Sequence, residues 1–457
     1  MTAHRRLLQA ILSYLLGIAV RIVVQLATLP ILFAYWSATR VGTWMVIFAL
    51  PAYFVVAGQA FSGAGGTAAL AAAREERWDE ARAAFRASWI WATSATLLVA
   101  AGLAALALLV PDELARDLGF TGAPELRACA LWLGIYVLAV CQSSLMLVPL
   151  RVSGRYPQHV MFQSVASLAE IAVLAACVTT SQSFGLLAAS LAVLRVAITG
   201  LQTVLAFRAS PALFAPGRIA LRTTLRQLVR PSLAFMILPL VYVLNLQGYT
   251  LLVGFAFGAQ VVAGFVATRV IVRAIDLVMT VLYTIQFNEA GYLGDGKREF
   301  QRRQLATMTA LTLAATIGFA LVIVPAGPWL QSVLSAGKSQ FDPAIALVLL
   351  ASGSIRALGT TPQAIVAADN GHVHLANRYL VASILALVGA AALAVAGFGL
   401  PAILAMLVPA ELMLALPAMR AALRHLGWDT EGLARALVSR ERVADIAQLA
   451  RFLVHRG

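Results

Sequence analysis

The chain has 457 residues, 61% of them hydrophobic and only 12% charged, with a mean hydropathy of +0.85. Soluble chains carry about a quarter of their residues charged, so this one lacks the polar surface to cover a water-facing body and must meet lipid over most of its outside. The net charge of +14 has no soluble basic domain to carry it, which excludes a nucleic-acid binder and points to anionic membrane surfaces and anionic lipids.

At roughly 20 apolar residues per crossing, the runs in chain order predict about twelve spans: 9–35, 42–70, 87–110, 127–150, 160–180, 184–207, 232–257, 260–290, 304–326, 343–367, 378–398 and 400–423. His4, Arg5 and Arg6 precede the first run and no small-residue cleavage site follows, so it reads as a retained span rather than a signal peptide. Cys129, Cys141 and Cys177 lie inside apolar runs and read as small core hydrophobes. The longest outer loop, 111–126, leaves no room for a catalytic domain. Two segments are too charged to span. Residues 208–231 form a basic linker, and 424–457 form a tail in which Trp428, Leu433, Leu437, Ile446, Leu449, Phe452 and Leu453 alternate with arginines, as in an amphipathic helix on the inner leaflet. The expected architecture is an all-α polytopic membrane protein with two six-helix lobes, 1–207 and 232–423.

Basic residues test the map. Twenty-five of the 34 lysines and arginines fall on one side, including Arg74 to Arg86, Arg218 to Arg230, Lys297 to Arg303 and the tail, whereas Arg40, Arg116, Arg127 and Lys338 alone fall on the other. Positive charge is retained in the cytoplasm, so both termini belong there and the number of spans is even. The halves also look alike: a shift of 217 residues lays Gly154 on Gly371 and the turn "RVSGRYPQHV" over "ADNGHVHLAN". A parallel six-plus-six repeat is a transporter layout, with the substrate cavity between halves that rock.

Five arginines break the sorting and sit inside spans: Arg21, Arg195, Arg269, Arg273 and Arg356. Each costs at least ~2.5–3.5 kcal/mol at mid-span, so lipid is the wrong neighbour for it. Their companions at helical spacing form polar stripes: Arg21 with Gln25 and Thr28, Arg195 with Thr199 and Gln202, Arg269 with Arg273 and Asp276, and Arg356 with Thr360 and Gln363. Tyr242, Asn245 and Tyr249 share another face. The intramembrane acids are Glu170 (with Gln163 and Ser167), Asp276 and Glu411, and two roles stand open for them: neutralising the arginines in buried pairs, or coupling to a proton or cation. Guanidinium groups offer forked donors suited to phosphate oxygens and stay charged at any physiological pH, so an excess of arginine favours an anionic cargo such as a lipid diphosphate. Arg21, Gln25, Asn245, Arg269, Arg273, Arg195 and Arg356 are the candidate substrate-binding residues. His372 and His374 at one turn fall short of a metal site, and no cofactor is expected.

With these residues in view, the opening "SYLLGIAVRIVVQLATLPILFAYWSATRVGTWMVIFALPAYFVVAGQAF" resembles that of the Wzx-type polysaccharide-repeat flippases, relatives of the multidrug and toxin extrusion (MATE) transporters and the lipid II flippases. The likeness rests on Leu29-Pro30, Tyr35-Trp36-Ser37, Gly42-x-Trp44 and the "PAYF" turn, and covers the first fifth of the chain by motif and nearly all of it by layout. Where the family would be expected to place an acid and a glycine in the second span, this chain has Gly58-Gln59-Ala60-Phe61, which leaves any role of that acid unfilled. The resemblance implies a bilobed, MATE-like fold in a bacterial inner membrane. It implies flipping of undecaprenyl-diphosphate-linked oligosaccharide to the outer leaflet for surface polysaccharide or lipopolysaccharide, without covalent chemistry and beside polymerase and chain-length partners. The rivals are a MATE-like cation-coupled drug antiporter, a major-facilitator carrier, whose loop after the second span is missing from Ala71–Arg86, and a polytopic O-antigen polymerase or ligase. The last should carry a large outer loop with arginines and histidines, and the six histidines all map to the cytoplasm.

Alkaline phosphatase fused after Gly457 should be inactive and the same enzyme inserted at Gly119 active; periplasmic activity at Gly457 would overturn the orientation.

Overall fold

The computed structural model describes residues 3–216, 221–276, 279, 298–368 and 372–439. Among these residues every regular element is a helix, and nine helices are long and apolar enough to cross a membrane. The three remaining expected spans fall on the apolar stretch Ala19–Tyr35, on the 37-residue helix Ala38–Arg74 and on Ala259–Val272. The second half of the span expected over 260–290 lies outside the described residues, as do Gly371 and the tail beyond 439. The protein is an all-α, multi-pass membrane protein.

The first compact unit runs to Gly264 and takes in Leu334–Lys338. It contains α1 (Ala3–Tyr35), α2 (Ala38–Arg74), α3 (Trp78–Leu109), α4 (Asp112–Asp117), α5 (Ala123–Leu145), α6 (Leu147–Val152), α7 (Tyr156–Thr180), α8 (Phe184–Ala209), α9 (Pro211–Phe214) and α10 (Leu221–Val243). The chain then passes through a π-helical turn, Leu244–Gly248, into α11 (Tyr249–Phe257), and Gly258, at φ +82°, starts α12 (Ala259–Val272). α1 packs along α7, α2 along α3, and α5 along α8. Alanine-rich faces let α2 and α3 approach closely, with Ala69, Ala72, Ala81, Ala84 and Phe85 all buried there.

The motif at the end of the first span is a structural corner. Trp36 and Trp44 are almost fully buried and join Phe48, Phe120 and Phe184 in one aromatic cluster. Ser37 caps α2 by accepting from the Arg40 amide, and Lys338 Nζ donates to the carbonyls of Phe33 and Trp36, the carbonyl end that α1 leaves unsatisfied. Gly42 is there because no side chain fits: a Cβ would lie 1.6 Å from the Ala259 carbonyl oxygen.

α10 packs against α2 and α3, and Trp91 Nε1 donates to the Leu225 carbonyl (3.0 Å). Arg86 likewise holds the Ala215 carbonyl at 2.8 Å. The described parts of 208–231 and the helix after them therefore belong with the first unit, and the compact units divide after Gly264 rather than in that linker.

The second unit comprises Phe265–Val333 and the chain from Ser339. Its helices are α13 (Arg298–Leu334), α14 (Pro343–Ala368), α15 (His372–Val395), α16 (Leu400–Ala405), α17 (Leu407–His425) and α18 (Thr430–Val438). α17 packs against α14 and α15. It ends in a Schellman turn: Gly427 has φ +59°, and the Trp428 and Gly427 amides donate to the Leu423 and Arg424 carbonyls. Arg302 from α13 closes the same end through the Leu426 and Gly427 carbonyls (2.8 and 2.7 Å). The start of the tail corrects the expected amphipathic helix on lipid. Leu433 is buried, and Ala436 and Leu437 pack with it against Leu305, Ile365, Ala422 and Leu426, so the apolar stripe of α18 meets protein.

Gly42→Ala should cost about 1–3 kcal/mol by forcing α2 off the start of α12, whereas Gly102→Ala, with open space around it, should leave thermal unfolding in detergent unchanged. Equal midpoints for the two variants would refute the packing argument.

Candidate functional site

Two polar clusters lie within the helices, one in each unit. In the first unit, α8 turns Arg195, Thr199 and Gln202 inward, and all three are buried. Their stripe faces α5, where Thr199 Oγ1 donates to the Ala139 carbonyl (3.1 Å), and α7, where Arg195 Nε stands 3.1 Å from Glu170 Oε1. Arg195 Nη1 also reaches Gln163 Oε1 at 3.5 Å, and its guanidinium lies 5.9 Å from the Tyr136 ring. From there a chain of donors runs on: Gln163 Nε2 to Ser143 Oγ (2.8 Å), Ser143 Oγ to Gln202 Oε1 (2.6 Å), and Gln202 Nε2 to His159 Nδ1 (2.7 Å). Arg195, Thr199 and Gln202 each gain a polar or charged partner in this way, as a low-dielectric interior favours.

This cluster opens on a cavity of about 660 Å³ lined by residues of the first unit. Arg195, Gln163, His159 and Arg151 form its polar wall, Gln247 of the π-helical turn contributes to it, and Phe48, Pro51 and Val148 are among its apolar lining. Arg151 is exposed and stands on α6. A cavity with both a basic and an apolar wall can hold an amphipathic anion.

In the second unit, α12 ends at Val272 and the backbone makes a tight turn through Arg273 and Ala274, with Asp276 N donating to the Arg273 carbonyl (2.9 Å). That turn brings Arg273 Nε to Asp276 Oδ2 (2.7 Å). Asp276 Oδ1 accepts from Arg356 Nη2 on α14 (2.8 Å), whose Nη1 lies 3.6 Å from Glu411 Oε1 on α17. Glu411 is fully buried, and Tyr379 of α15 donates to its other oxygen (2.8 Å). The segment before α13 and helices α14, α15 and α17 are thus tied through two arginines and two carboxylates.

Of the five intramembrane arginines, Arg195, Arg273 and Arg356 hold carboxylates, and Glu170, Asp276 and Glu411 are the acids they hold. The expected excess of arginine over acid is therefore absent at these two clusters, because each charge is compensated where it is buried. Arg21 is exposed on α1, its Nε donating to the Gly17 carbonyl one turn back (3.3 Å), and neither it nor Gln25 lines the cavity. Asn245 lies in the π-helical turn. Arg269 stacks on Phe265, one turn back on its own helix, at 4.9 Å. His159 and Ser143 were missed by sequence reasoning. His159 extends the Gln163–Ser167–Glu170 stripe by one helical turn, which is the signal that could have found it.

Arg356→Met should cost about 3–5 kcal/mol, since it strands Glu411 and halves the compensation of Asp276. The double variant Arg356→Met with Glu411→Gln should be closer to wild type in thermal unfolding; a double variant worse than the single one would refute the pairing.

No family model matches the chain, and no curated protein does. Solved structures share its fold. An inward-facing multidrug resistance MATE family transporter of the MOP superfamily is similar over 89% of this chain and 94% of its own, with a TM-score of 0.69 at 13% identity. A MATE in complex with MaL6 is similar over 92% and 96%, with a TM-score of 0.60 at 14% identity. So is a MOP superfamily transporter from Pyrococcus furiosus, described as having a binding pocket of reverse polarity that suggests a different function, over 92% and 95%, with a TM-score of 0.57 at 15% identity. The chain has the fold of the MATE transporters of the MOP superfamily.

Proposed function

We propose that this protein is an alternating-access transporter that moves an anionic, diphosphate-linked lipid oligosaccharide from the inner to the outer leaflet of a bacterial plasma membrane. The observation that carries this reading is the convergence of Arg195 and Arg151 on one cavity that Phe48, Pro51 and Val148 also line. At about 660 Å³, the cavity falls within the ~300–1,000 Å³ range of small-molecule sites, enough for a diphosphate and its first sugars while the tail stays in lipid. Gln163, His159 and Gln247 offer hydrogen bonds to sugar hydroxyls. Arg21, Gln25, Asn245 and Arg269 are further contacts along the route, and Arg273 and Arg356 act through the carboxylates they hold. The protein performs no covalent step. One observation favours a second reading, a cation-coupled antiporter: Glu411 is buried, and Glu170 and Asp276 half-buried, against arginines, which a proton could release.

The test is transport in proteoliposomes loaded with undecaprenyl-diphosphate-linked oligosaccharide, read by the sugar that becomes accessible to an external lectin. Arg151→Ala and Arg21→Ala should each lower the rate by about tenfold or more, the loss of one charge-assisted contact, with insertion unchanged. Undiminished transport in both would refute the anionic-cavity reading. Drug efflux driven by an imposed proton or sodium gradient, without oligosaccharide transport, would install the antiporter.

A further inference from the structure

A second cavity, of about 530 Å³, lies wholly in the second unit between α15 and α17. Val381, Leu385, Met406 and Met413 make its wall apolar, and Arg378, beside Asn377, is its only charged group. Val381, Leu385 and Met413 are 57%, 64% and 47% exposed, so the groove is open along its length. In a membrane protein such an apolar, outward-open surface is solvated by acyl chains.

The two ends of the groove differ. At one end Gly389 makes room for Met406, whose Cε would lie 2.8 Å from a Cβ at that position. At the other stands Arg378, which is exposed and has no ion pair among the described residues. From Arg378 to Ala386, both on the wall, a helix rises about 12 Å, close to the ~15 Å of a single leaflet. The dimensions therefore match one lipid in one leaflet, with a charge at headgroup depth and a chain-length trough beneath it.

We propose that this groove holds one anionic phospholipid on the basic side of the membrane. Its phosphodiester accepts from the Arg378 guanidinium and the Asn377 amide, and one acyl chain lies along Val381, Leu385, Met406 and Met413. A guanidinium supplies forked donors to phosphate oxygens, and the two methionines adapt to a chain of variable kink. Charge complementarity selects this occupant: a single cation matches a monoanionic phosphodiester, whereas the diphosphate of the proposed cargo calls for more positive charge than this groove holds. The site stands on its own geometry and does not depend on what the protein transports.

The test is native mass spectrometry of the full chain, delipidated in mild detergent and titrated with phosphatidylglycerol or phosphatidylethanolamine. One phosphatidylglycerol should be retained about fivefold more strongly than phosphatidylethanolamine, the preference that one basic residue near the surface confers. Arg378→Ala should erase the preference, Leu385→Trp should weaken retention of both lipids by filling the trough, and Arg435→Ala, a basic residue away from the groove, should leave it intact. Equal retention of the two lipids by the wild type, or an unchanged preference in Arg378→Ala, would overturn the proposal. Displacement of phosphatidylglycerol by equimolar undecaprenyl diphosphate would overturn it too and assign the groove to the cargo. So would a two-chain species abolished by Leu385→Trp, which would assign the face to a second copy of the protein.

Discussion

A guanidinium inside a membrane cannot shed its charge, and much of this structure follows from that constraint. Arginine stays protonated at every accessible pH, so burial must be met by a partner rather than by neutralisation. The chain meets it with carboxylates drawn from distant stretches of sequence. Glu170 on α7 answers Arg195 on α8, and Asp276 and Glu411 together answer Arg273 and Arg356, the Arg356–Asp276 pair being 80 positions apart in sequence. Because each contact is geometrically specific, it fixes the rotation of the helices that carry it. An apolar stripe tolerates a slide of one ridge over another; an arginine between two acids does not.

The same pairing changes what the intramembrane arginines say about cargo. Read as free charges, five arginines argue for a strongly positive cavity. Read in their contacts, three of them are already balanced, and the basic character of the first unit's cavity rests on the exposed Arg151 together with Arg195, whose charge Glu170 offsets. An anionic headgroup entering there would compete with Glu170 for the guanidinium. Exchange of one carboxylate for one phosphate keeps the local charge count tolerable in a medium of low dielectric, where an uncompensated arginine would be costly. A site of this kind could admit an anion without its arginine standing permanently unpaired.

Hydropathy and the spacing of polar residues made the helices and their inward faces legible. The stripes Arg195–Thr199–Gln202 and Gln163–Ser167–Glu170 point into the first unit as their i, i+4, i+7 pattern requires. Which helix answers which was not legible, because periodicity names a face and never the neighbour beyond it. Tyr379 illustrates the gap: with Ser383 one turn on, it marks a face of α15, yet nothing in that spacing names Glu411 as the group it satisfies. The tail shows the reverse error. Its apolar stripe was visible, but an amphipathic helix suits a protein surface as well as a lipid one, and Leu433 found the ends of α13, α14 and α17. The Trp36-Ser37 and Gly42-x-Trp44 pattern, which carried the resemblance, proved to be a corner of caps and close packing, so it speaks to fold more than to cargo.

Irregular backbone within membrane helices sits beside the polar clusters in both units. Non-helical geometry at that depth leaves carbonyl and amide groups in need of partners, and it survives only inside protein or along a polar cavity. The π-helical turn Leu244–Gly248 supplies Gln247 to the wall of the first unit's cavity. The turn at Arg273–Ala274 sets Arg273 and Asp276 face to face, a meeting that brings the acid within reach of Arg356. A regular helix would have kept these groups on the same face without turning the carboxylate to two guanidinium groups at once. The departures from regular helix are therefore part of how each cluster is assembled, and they mark the places where a change in pairing would be transmitted to the backbone.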